Sequence, residues 1–236
     1  MHKIIATDYQ AMSRTGAEIV AKHIKPGALI CLAAGDTPMG MFKELIAMQH
    51  RGEVNLADAW YVGLDEWMGL GQADEGSCIK MMTDAFYGPA NIPSERILTF
   101  DGLDPDTHKQ CRQVEAWIAA RGGITFTMLG IGMNGHIGFN EPGTPDQPGC
   151  FAVDLDDTTQ SVSAKYFGKA LPITQGVTIG WRTLHDAPAV LLMANGAKKA
   201  PIINQVLTGP ITADVPASLF RNHPGATILL DKAATM

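Results

Sequence analysis

Short apolar runs alternate with amphipathic stretches along this chain. Continuous apolar runs of four to six residues are typical of strands buried on both faces, and a 3.6-residue period is typical of a helix with one buried face. The apolar runs predict strands at residues 3–6, 28–33, 60–64, 97–100, 124–129, 177–180, 189–194 and 226–230. The amphipathic stretches predict helices at residues 8–24, 38–50, 79–86, 106–121 and 198–207. This alternation predicts an α/β fold, a doubly wound and mostly parallel sheet with helices on both faces.

Composition adds limits to this prediction. The chain has 236 residues, of which 46% are hydrophobic and 18% charged, and no linker-like stretch divides it. We therefore expect one domain over residues 1–236, with a lid around residues 145–170. The formal net charge of -6 disfavours a nucleic-acid partner. No apolar run resembles a signal peptide or a membrane span. The four cysteines form no CxxC pair, which favours free thiols in a cytoplasmic protein.

The loop after the predicted strand 124–129 carries the clearest chemistry. It reads GIGMNGHIGFNEPGT, residues 130–144, with His136 and Glu141 five residues apart. Ligands bind at the carboxyl ends of strands in open α/β sheets. Histidine is the natural proton shuttle near neutral pH, and a carboxylate holds such a ring in one tautomer. Four nearby glycines indicate an exposed turn for His136, and the single local histidine disfavours a metal site.

Two further strand ends carry candidate groups. The segment AAGDTPMG, residues 33–40, lies between a buried strand and a helix. Thr37 and the free N–H groups at the helix start can form an anion site. The alternative is a plain strand–helix turn that uses Gly35 for its conformation. Asp65 and Glu66 directly follow the strand 60–64. Adjacent residues of an extended chain point to opposite sides, so one carboxylate is expected to face a cleft as a general base. The alternative is a loop acid that caps the next helix.

Basic residues later in the chain are candidates for phosphate binding. Lys165 lies in SAKYF, and Lys198 and Lys199 open a helix after Asn195 and Gly196. A lysine at such a position binds phosphate as a point charge. A solvated helix face is the alternative for one of the Lys198–Lys199 pair.

Together these motifs resemble the glucosamine-6-phosphate deaminase / galactosamine-6-phosphate isomerase family. The phosphate loop, LDEWMGL, NIPSERI, CRQVEAWI and GHIGFNEPG occur in the family's order, and the likeness covers nearly the whole chain. GHIGFNEPG is quite specific. The related 6-phosphogluconolactonases share the fold and a GxGxDGH turn but lack the FNEP continuation.

The resemblance implies an aldose–ketose isomerisation coupled to loss of ammonia from a 2-amino-2-deoxyhexose 6-phosphate, with no metal or organic cofactor. Asp65 would move a proton between C2 and C1, and His136 would assist opening of the sugar ring. Glu141 and Asn134 would orient His136. The sugar-phosphate pocket would consist of Ala34, Gly35, Asp36, Thr37, Lys165 and Lys199. The expected partner is this small molecule, bound by a monomer or a small homo-oligomer.

The chain departs from the family pattern at single positions. Asn134 stands where some members carry aspartate, so the His–Glu unit has one less negative charge. Asp36 replaces a glycine of the usual GGTP loop, and Lys165 replaces a phosphate-binding arginine, which loses bidentate geometry. The QPxC pattern at residues 147–150 resembles the galactosamine-6-phosphate branch, to which the prediction leans.

Two other functions stay open at this point. A sugar-lactone hydrolase needs the histidine but has no clear use for Asp65 or FNEP. A non-catalytic sugar-phosphate sensor resembles effector domains of transcription regulators, which carry a helix-turn-helix segment before the fold. We expect no such segment here, because the first predicted strand begins at about Lys3.

The resemblance yields a prediction about regulation. Allosteric deaminases hold a second sugar phosphate with a serine, an arginine and a lysine downstream of FNEP, and the matching places here read Thr144, Phe151 and Val153. We expect no activation by N-acetylglucosamine 6-phosphate. Initial rates measured against substrate concentration should have the same shape with and without it; a sigmoidal curve that this ligand makes hyperbolic contradicts the prediction.

Overall fold

The fold is built on two sheets of unequal size. The computed structural model describes residues 1–146, 148–163, 167 and 173–236. The strands in this part of the chain are β1 His2–Ala6, β2 Leu29–Leu32, β3 Trp60–Gly63, β4 Asp65–Trp67, β5 Ile97–Leu98, β6 Phe126–Gly130, β7 Cys150–Asp154, β8 Gln175–Ile179, β9 Val190–Ala194 and β10 Ala226–Asp231. Seven of them form a parallel sheet in the order β1-β10-β9-β6-β2-β3-β5, and the others form an antiparallel sheet, β4-β8-β7.

Helices alternate with the strands along the chain. They are α1 Tyr9–Ala21, α2 Met39–His50, α3 Cys78–Met82, α4 Thr107–Ala119, α5 Asp157–Ser163, α6 Trp181–His185 and α7 Ala200–Thr208, and a π-helical turn, Thr83–Tyr87, extends α3. Asp8 caps α1 as expected, because its Oδ1 accepts a hydrogen bond from Ala11 N at 2.8 Å. The main core contains the fully buried strands β2 and β9 with the buried positions of β3, β6 and β10 and the apolar faces of α1 and α2.

The predicted fold class is confirmed, with one correction in the sheet. The apolar run predicted as a strand at 177–180 is not part of the parallel sheet, since β8 pairs antiparallel with β4 and β7. The strands β4 and β7 and the helices α5 and α6 were missed. They are three to seven residues long, too short for an apolar period to stand out.

The strand order creates a crevice at the centre of the parallel sheet. From β2 the chain moves outward through β3 to β5, and it then returns to the other side of β2 as β6 and continues outward to β9 and β10. The loops that follow β2 and β6 therefore leave the sheet side by side in opposite directions. Such a switch point is where ligands bind in doubly wound folds.

The small sheet is joined to the loop after β6 by one buried amide. Asn140 Nδ2 donates to Ile137 O at 2.8 Å and to Ile179 O at 2.9 Å, and its Oδ1 accepts from Trp181 N at 2.7 Å. Phe139 N donates to Thr178 Oγ1 at 3.2 Å, beside the same junction. The Phe-Asn pair of the FNEP motif therefore fixes the position of β8 beneath the His136 loop.

Among the helices in the described part of the chain, none is both long and apolar enough to cross a membrane. The expected lid at 145–170 overlaps residues outside that part, and it stays a prediction, as does the single domain.

Removing the Asn140 amide should destabilise the protein. Asn140→Ala removes three buried hydrogen bonds and leaves the Trp181 N–H without its acceptor, which should lower the free energy of unfolding by roughly 3 kcal/mol. Urea unfolding of this variant and of Asn204→Ala, a matched change at an exposed asparagine, provides the measurement. Equal losses in the two variants would contradict a special role for Asn140.

Candidate active site

Glycines shape the loop that carries His136. A Cβ on Gly132 would lie 2.4 Å from His136 Cδ2, so the ring packs flat on a residue that must lack a side chain. Gly135 has a φ of 87°, a conformation that side chains other than glycine rarely adopt. The His136 side chain is 22% exposed, so it is half-buried and not on the open turn that the glycines suggested.

His136, Glu141 and Asn134 come together as the sequence predicted. His136 Nδ1 lies 3.3 Å from Glu141 Oε2. Asn134 Nδ2 donates to the same carboxylate oxygen at 2.9 Å, and Asn134 Oδ1 accepts from the His136 backbone N–H at 3.2 Å. The asparagine thus ties the carboxylate to the backbone of the histidine.

The Glu141 carboxylate is held in its charged form. Burial raises its pKa, but hydrogen bonding to His136 and the charge of that ring, with hydrogen bonds from Thr159 and Asn134, leave the pKa below the usual value. An ionised carboxylate can only accept hydrogen bonds, so the neutral imidazole presents Nδ1–H to it. This leaves His136 Nε2 as the nitrogen that can exchange a proton with a ligand.

Two residues of this cluster were missed by sequence reasoning. Thr159 Oγ1 lies 3.0 Å from His136 Nδ1, and Asp156 Oδ1 accepts from Asn134 Nδ2 at 3.2 Å. Both lie at the start of α5, which follows β7. The sequence does contain a signal for this strand and helix. Phe151, Val153 and Leu155 alternate with polar or small residues, as in a strand, and a helix-capping aspartate follows them.

Asp65 lies against the His136 loop at the start of β4. A Cβ on Gly138 would be 3.3 Å from Asp65 Oδ2, and Gly138 has a φ of 56°. Burial and the neighbouring charge of Glu66 raise the pKa of Asp65 to about 7, and a hydrogen bond with the Cys78 thiol opposes this rise. A carboxylate with such a pKa both takes and returns a proton near neutral pH.

Glu66 points to the other side of β4, as the strand geometry predicted. Its Oε2 accepts from Ser77 Oγ at 2.8 Å and from Ile79 N at 2.9 Å, and its Oε1 accepts from Cys78 N at 3.0 Å. Burial raises the pKa of Glu66 although these hydrogen bonds lower it. Glu66 therefore caps α3, which was the alternative reading for this acid pair, and Asp65 is the carboxylate of the two that faces the His136 loop.

The loop after β2 reaches across the crevice. Thr37 Oγ1 donates to Asn195 Oδ1 at 2.9 Å, which links the carboxyl ends of β2 and β9 over the end of β6. Gly35 has a φ of 113°, and its N–H lies 2.9 Å from Met81 Sδ. Ala34 lines a small cavity together with Asp65. Asp36 is exposed at the tip of the loop. Asn195 had been noted only as the end of a strand.

Of the two predicted lysines, Lys199 lies at this edge of the sheet. It ends the 3-10 turn Ala197–Lys199, and its Nζ donates to Ile131 O, directly after β6. Lys165 lies outside the described residues. Within the described residues no group of three or more His, Cys, Asp or Glu side chains is arranged to hold a metal ion.

The arrangement brings two kinds of polar group to the same end of the parallel sheet. Asp65 Oδ2 lies beside Gly138, two residues after His136 in the same loop, whereas Thr37, Asn195 and Lys199 follow neighbouring strands and form a candidate anion-binding edge. A ligand that carries an anion at one end would have its other end held beside two groups able to move protons.

Comparison with known sequences gives a family match over most of the chain. A family model described as glucosamine-6-phosphate isomerases/6-phosphogluconolactonase matches residues 7–229. The chain is 37% identical to a glucosamine-6-phosphate deaminase of Thermoanaerobacter pseudethanolicus over 99% of this chain and 94% of that protein. It is also 37% identical to one of Lachnoclostridium phytofermentans, over 97% of this chain and 98% of that protein.

Solved structures agree with this match. A monomeric glucosamine-6-phosphate deaminase superposes with a TM-score of 0.94 at 32% identity, covering 99% of this chain and 98% of the other. The 6-phosphogluconolactonase of Trypanosoma brucei superposes with a TM-score of 0.75 at 18% identity, covering 99% of this chain and 97% of the other. The second likeness concerns the fold alone.

The half-buried Asp65 should cost stability when it ionises. Because its pKa is raised to about 7 from the ordinary 3.8, the folded state holds this proton more tightly than the unfolded state does. The free energy of unfolding therefore falls as the pH rises from 4 to 7. Asp65→Asn avoids this loss, so its free energy of unfolding should exceed that of the unmodified protein by about 3 kcal/mol at pH 8 and by much less at pH 4.

Urea unfolding at both pH values provides the measurement for Asp65→Asn. The exposed Asp157→Asn serves as the matched control, with no pH-dependent gain expected. A gain for Asp65→Asn that is the same at pH 4 and pH 8 would show that burial does not disfavour its charge.

Proposed function

The chain belongs to the family of glucosamine-6-phosphate isomerases and 6-phosphogluconolactonases, and within this family we propose that it deaminates a 2-amino-2-deoxyhexose 6-phosphate. The products are a ketohexose 6-phosphate and ammonia. The position of Asp65 against the loop of His136 carries this proposal. The names of the relatives at 37% identity support it.

The proposed reaction has two proton-transfer stages. The His136 imidazole passes a proton between the ring oxygen and the C1 hydroxyl, which opens the pyranose to the aldehyde. Asp65 then removes the proton from C2 and delivers it to C1, and a proton of the ammonium group passes to the C1 oxygen, so that the aldehyde becomes an alcohol and C2 becomes a protonated imine. Water adds to this imine and ammonia leaves, which gives the ketone. No change in overall oxidation state occurs, and no cofactor is required.

The physical properties of the two groups fit these stages. A pKa of Asp65 near 7 makes the carboxylate a stronger base than an exposed aspartate, while it remains partly ionised at neutral pH. The ionised Glu141 stabilises the imidazolium that forms when Nε2 takes a proton. Asn134 and Glu141 are thus positioning residues for His136.

The phosphate group is proposed to bind at the anion-binding edge. Thr37 supplies a hydroxyl and Lys199 a positive charge, and backbone N–H groups of residues 34–37 complete the pocket. Lys165 is proposed as a second cation on the strength of the family resemblance. Because the phosphate is remote from C1 and C2, its binding energy can orient the reacting carbons.

A lactone hydrolase is the less favoured alternative. Lactonases of this fold superpose with lower TM-scores and below 22% identity, which concerns the fold alone. Lactone hydrolysis has no step at C2 for a buried base of raised pKa. Asp65 therefore favours the deaminase, and it also argues against a non-catalytic sensor, which gains nothing from a destabilising buried acid.

The identity of the sugar at C4 is a finer proposal. The relatives are named for glucosamine 6-phosphate, whereas the QPxC pattern leans toward galactosamine 6-phosphate. Cys150 lies in β7, and Gln147 is outside the described residues. The preference for galactosamine stays a prediction, as do the cytoplasmic location and the small assembly; one structural relative is described as monomeric.

A coupled assay tests the proposed function. Ammonia release should be measured from glucosamine 6-phosphate and galactosamine 6-phosphate side by side, with the ketohexose 6-phosphate quantified in parallel. We expect release from at least one sugar, and Asp65→Asn should lower kcat by about a thousandfold or more because the C2 base is lost. Faster release from galactosamine 6-phosphate supports the QPxC prediction.

Controls separate this result from general damage. Asp157→Asn, a change at an exposed acid, should leave the rate within about twofold. Release of ammonia from neither sugar, together with hydrolysis of 6-phosphogluconolactone, would establish the alternative function.

A further inference from the structure

The first turn of α5 contacts the His136 unit at two points. Thr159 Oγ1 lies 3.0 Å from His136 Nδ1, and its side chain is buried, with the residue 4% exposed. Asp156 Oδ1 accepts from Asn134 Nδ2 at 3.2 Å. None of the sequence motifs includes these two residues.

The Asn134 amide bridges two carboxylates. Its Nδ2 donates to Glu141 Oε2 at 2.9 Å and to Asp156 Oδ1 at 3.2 Å, so the two hydrogens of one neutral amide are shared between two acids. Hydrogen bonds from Thr158, with smaller contributions from Asn134 and the charge of His136, lower the pKa of Asp156, which is therefore ionised. With the amide nitrogen fixed by two anions, its oxygen must face the His136 N–H, as observed.

Thr159 completes the surroundings of His136 Nδ1. That nitrogen faces the Glu141 carboxylate on one side and the Thr159 hydroxyl on the other. A hydroxyl accepts from Nδ1–H when the imidazole carries its proton on that nitrogen. The Nδ1–H therefore lies between two acceptors, the Glu141 carboxylate and the Thr159 hydroxyl.

We propose that Asp156 and Thr159 are positioning residues that hold the His136 imidazole as the Nδ1–H tautomer, with Nε2 free for the substrate. Thr159 acts on the ring directly, and Asp156 acts through the Asn134 amide. The effect on catalysis rests on the proposed function, whereas the effect on the tautomer does not.

The tautomer can be observed without substrate. Two-bond ¹H–¹⁵N correlation spectra of the ¹⁵N-labelled protein distinguish the two ring nitrogens, and the spectrum of His136→Gln assigns the His136 signals. We expect Nδ1–H to dominate at a pH where the ring is neutral. Asp156→Asn and Thr159→Val should each change the tautomer ratio by about tenfold, the effect of one hydrogen bond to a charged group.

Matched variants give the experiment its controls. Asp157→Asn removes an exposed charge from the same helical turn, and Thr159→Ser keeps the hydroxyl; both should retain the tautomer ratio. Circular dichroism checks folding, and Thr159→Ala replaces Thr159→Val if valine prevents it. A dominant Nε2–H tautomer in the unmodified protein, or the same ratio in Asp156→Asn and Asp157→Asn, overturns the proposal.

Kinetics supply the second measurement. Asp156→Asn and Thr159→Val should lower kcat for ammonia release by about tenfold with little change in KM, and Thr159→Ser should restore it. A rise in KM at constant kcat overturns the positioning role. If the unmodified protein releases no ammonia, the proposed function fails, while the tautomer spectra still decide the role of Asp156 and Thr159.

Discussion

The reversal of strand order between β2 and β6 is the constraint on which the site depends. The two strands are neighbours, yet the chain leaves them in opposite directions, so a gap opens where their loops diverge. The candidate groups lie just beyond the carboxyl ends of neighbouring strands: Thr37 after β2, Asp65 at the start of β4 just after β3, His136 after β6 and Asn195 after β9. No single segment could place the proposed phosphate-binding groups and the two proposed proton-transfer groups around one ligand. The strand order brings these groups together without requiring long loops.

The site also contains a conflict between stability and chemistry. Asp65 and Glu66 are adjacent and enclosed, and burial raises the pKa of both. Glu66 receives four hydrogen bonds from the start of α3 and its own strand, whereas Asp65 has the weaker support of the Cys78 thiol. Hydrogen bonds thus stabilise the charged form of Glu66, which anchors the start of α3. The charged form of Asp65 receives less stabilisation of this kind. A poorly solvated carboxylate is the more basic one, and this is what abstraction of a carbon-bound proton requires.

The sequence predicted the parallel sheet well because its strands are continuous apolar runs, such as residues 28–33 and 189–194. It also predicted the His136–Glu141–Asn134 cluster, whose members lie within eight residues. It did not predict Thr159 or Asp156, because their contacts cross β7, a strand whose alternating pattern is only five residues long. The Thr37–Asn195 hydrogen bond joins residues 158 positions apart, and no local pattern encodes such a pairing. The family resemblance implied the roles of the site residues. The burial of these residues and the bridging amides of Asn134 and Asn140 are visible only in the structure.

The small sheet connects the segments that carry the proposed proton-transfer groups Asp65 and His136. Thr178 in the central strand β8 pairs with Asp65 of β4 on one side and with Phe151 of β7 on the other, and its hydroxyl accepts from Phe139 in the His136 loop. The proposed base, the histidine loop and the strand leading to α5 are therefore braced by one residue. Lys199 donates to Ile131 O in the same loop, so the proposed phosphate-binding lysine is fixed to this frame as well. The distance between the proposed proton-transfer groups and the proposed phosphate-binding group is therefore set by hydrogen bonds within one connected frame.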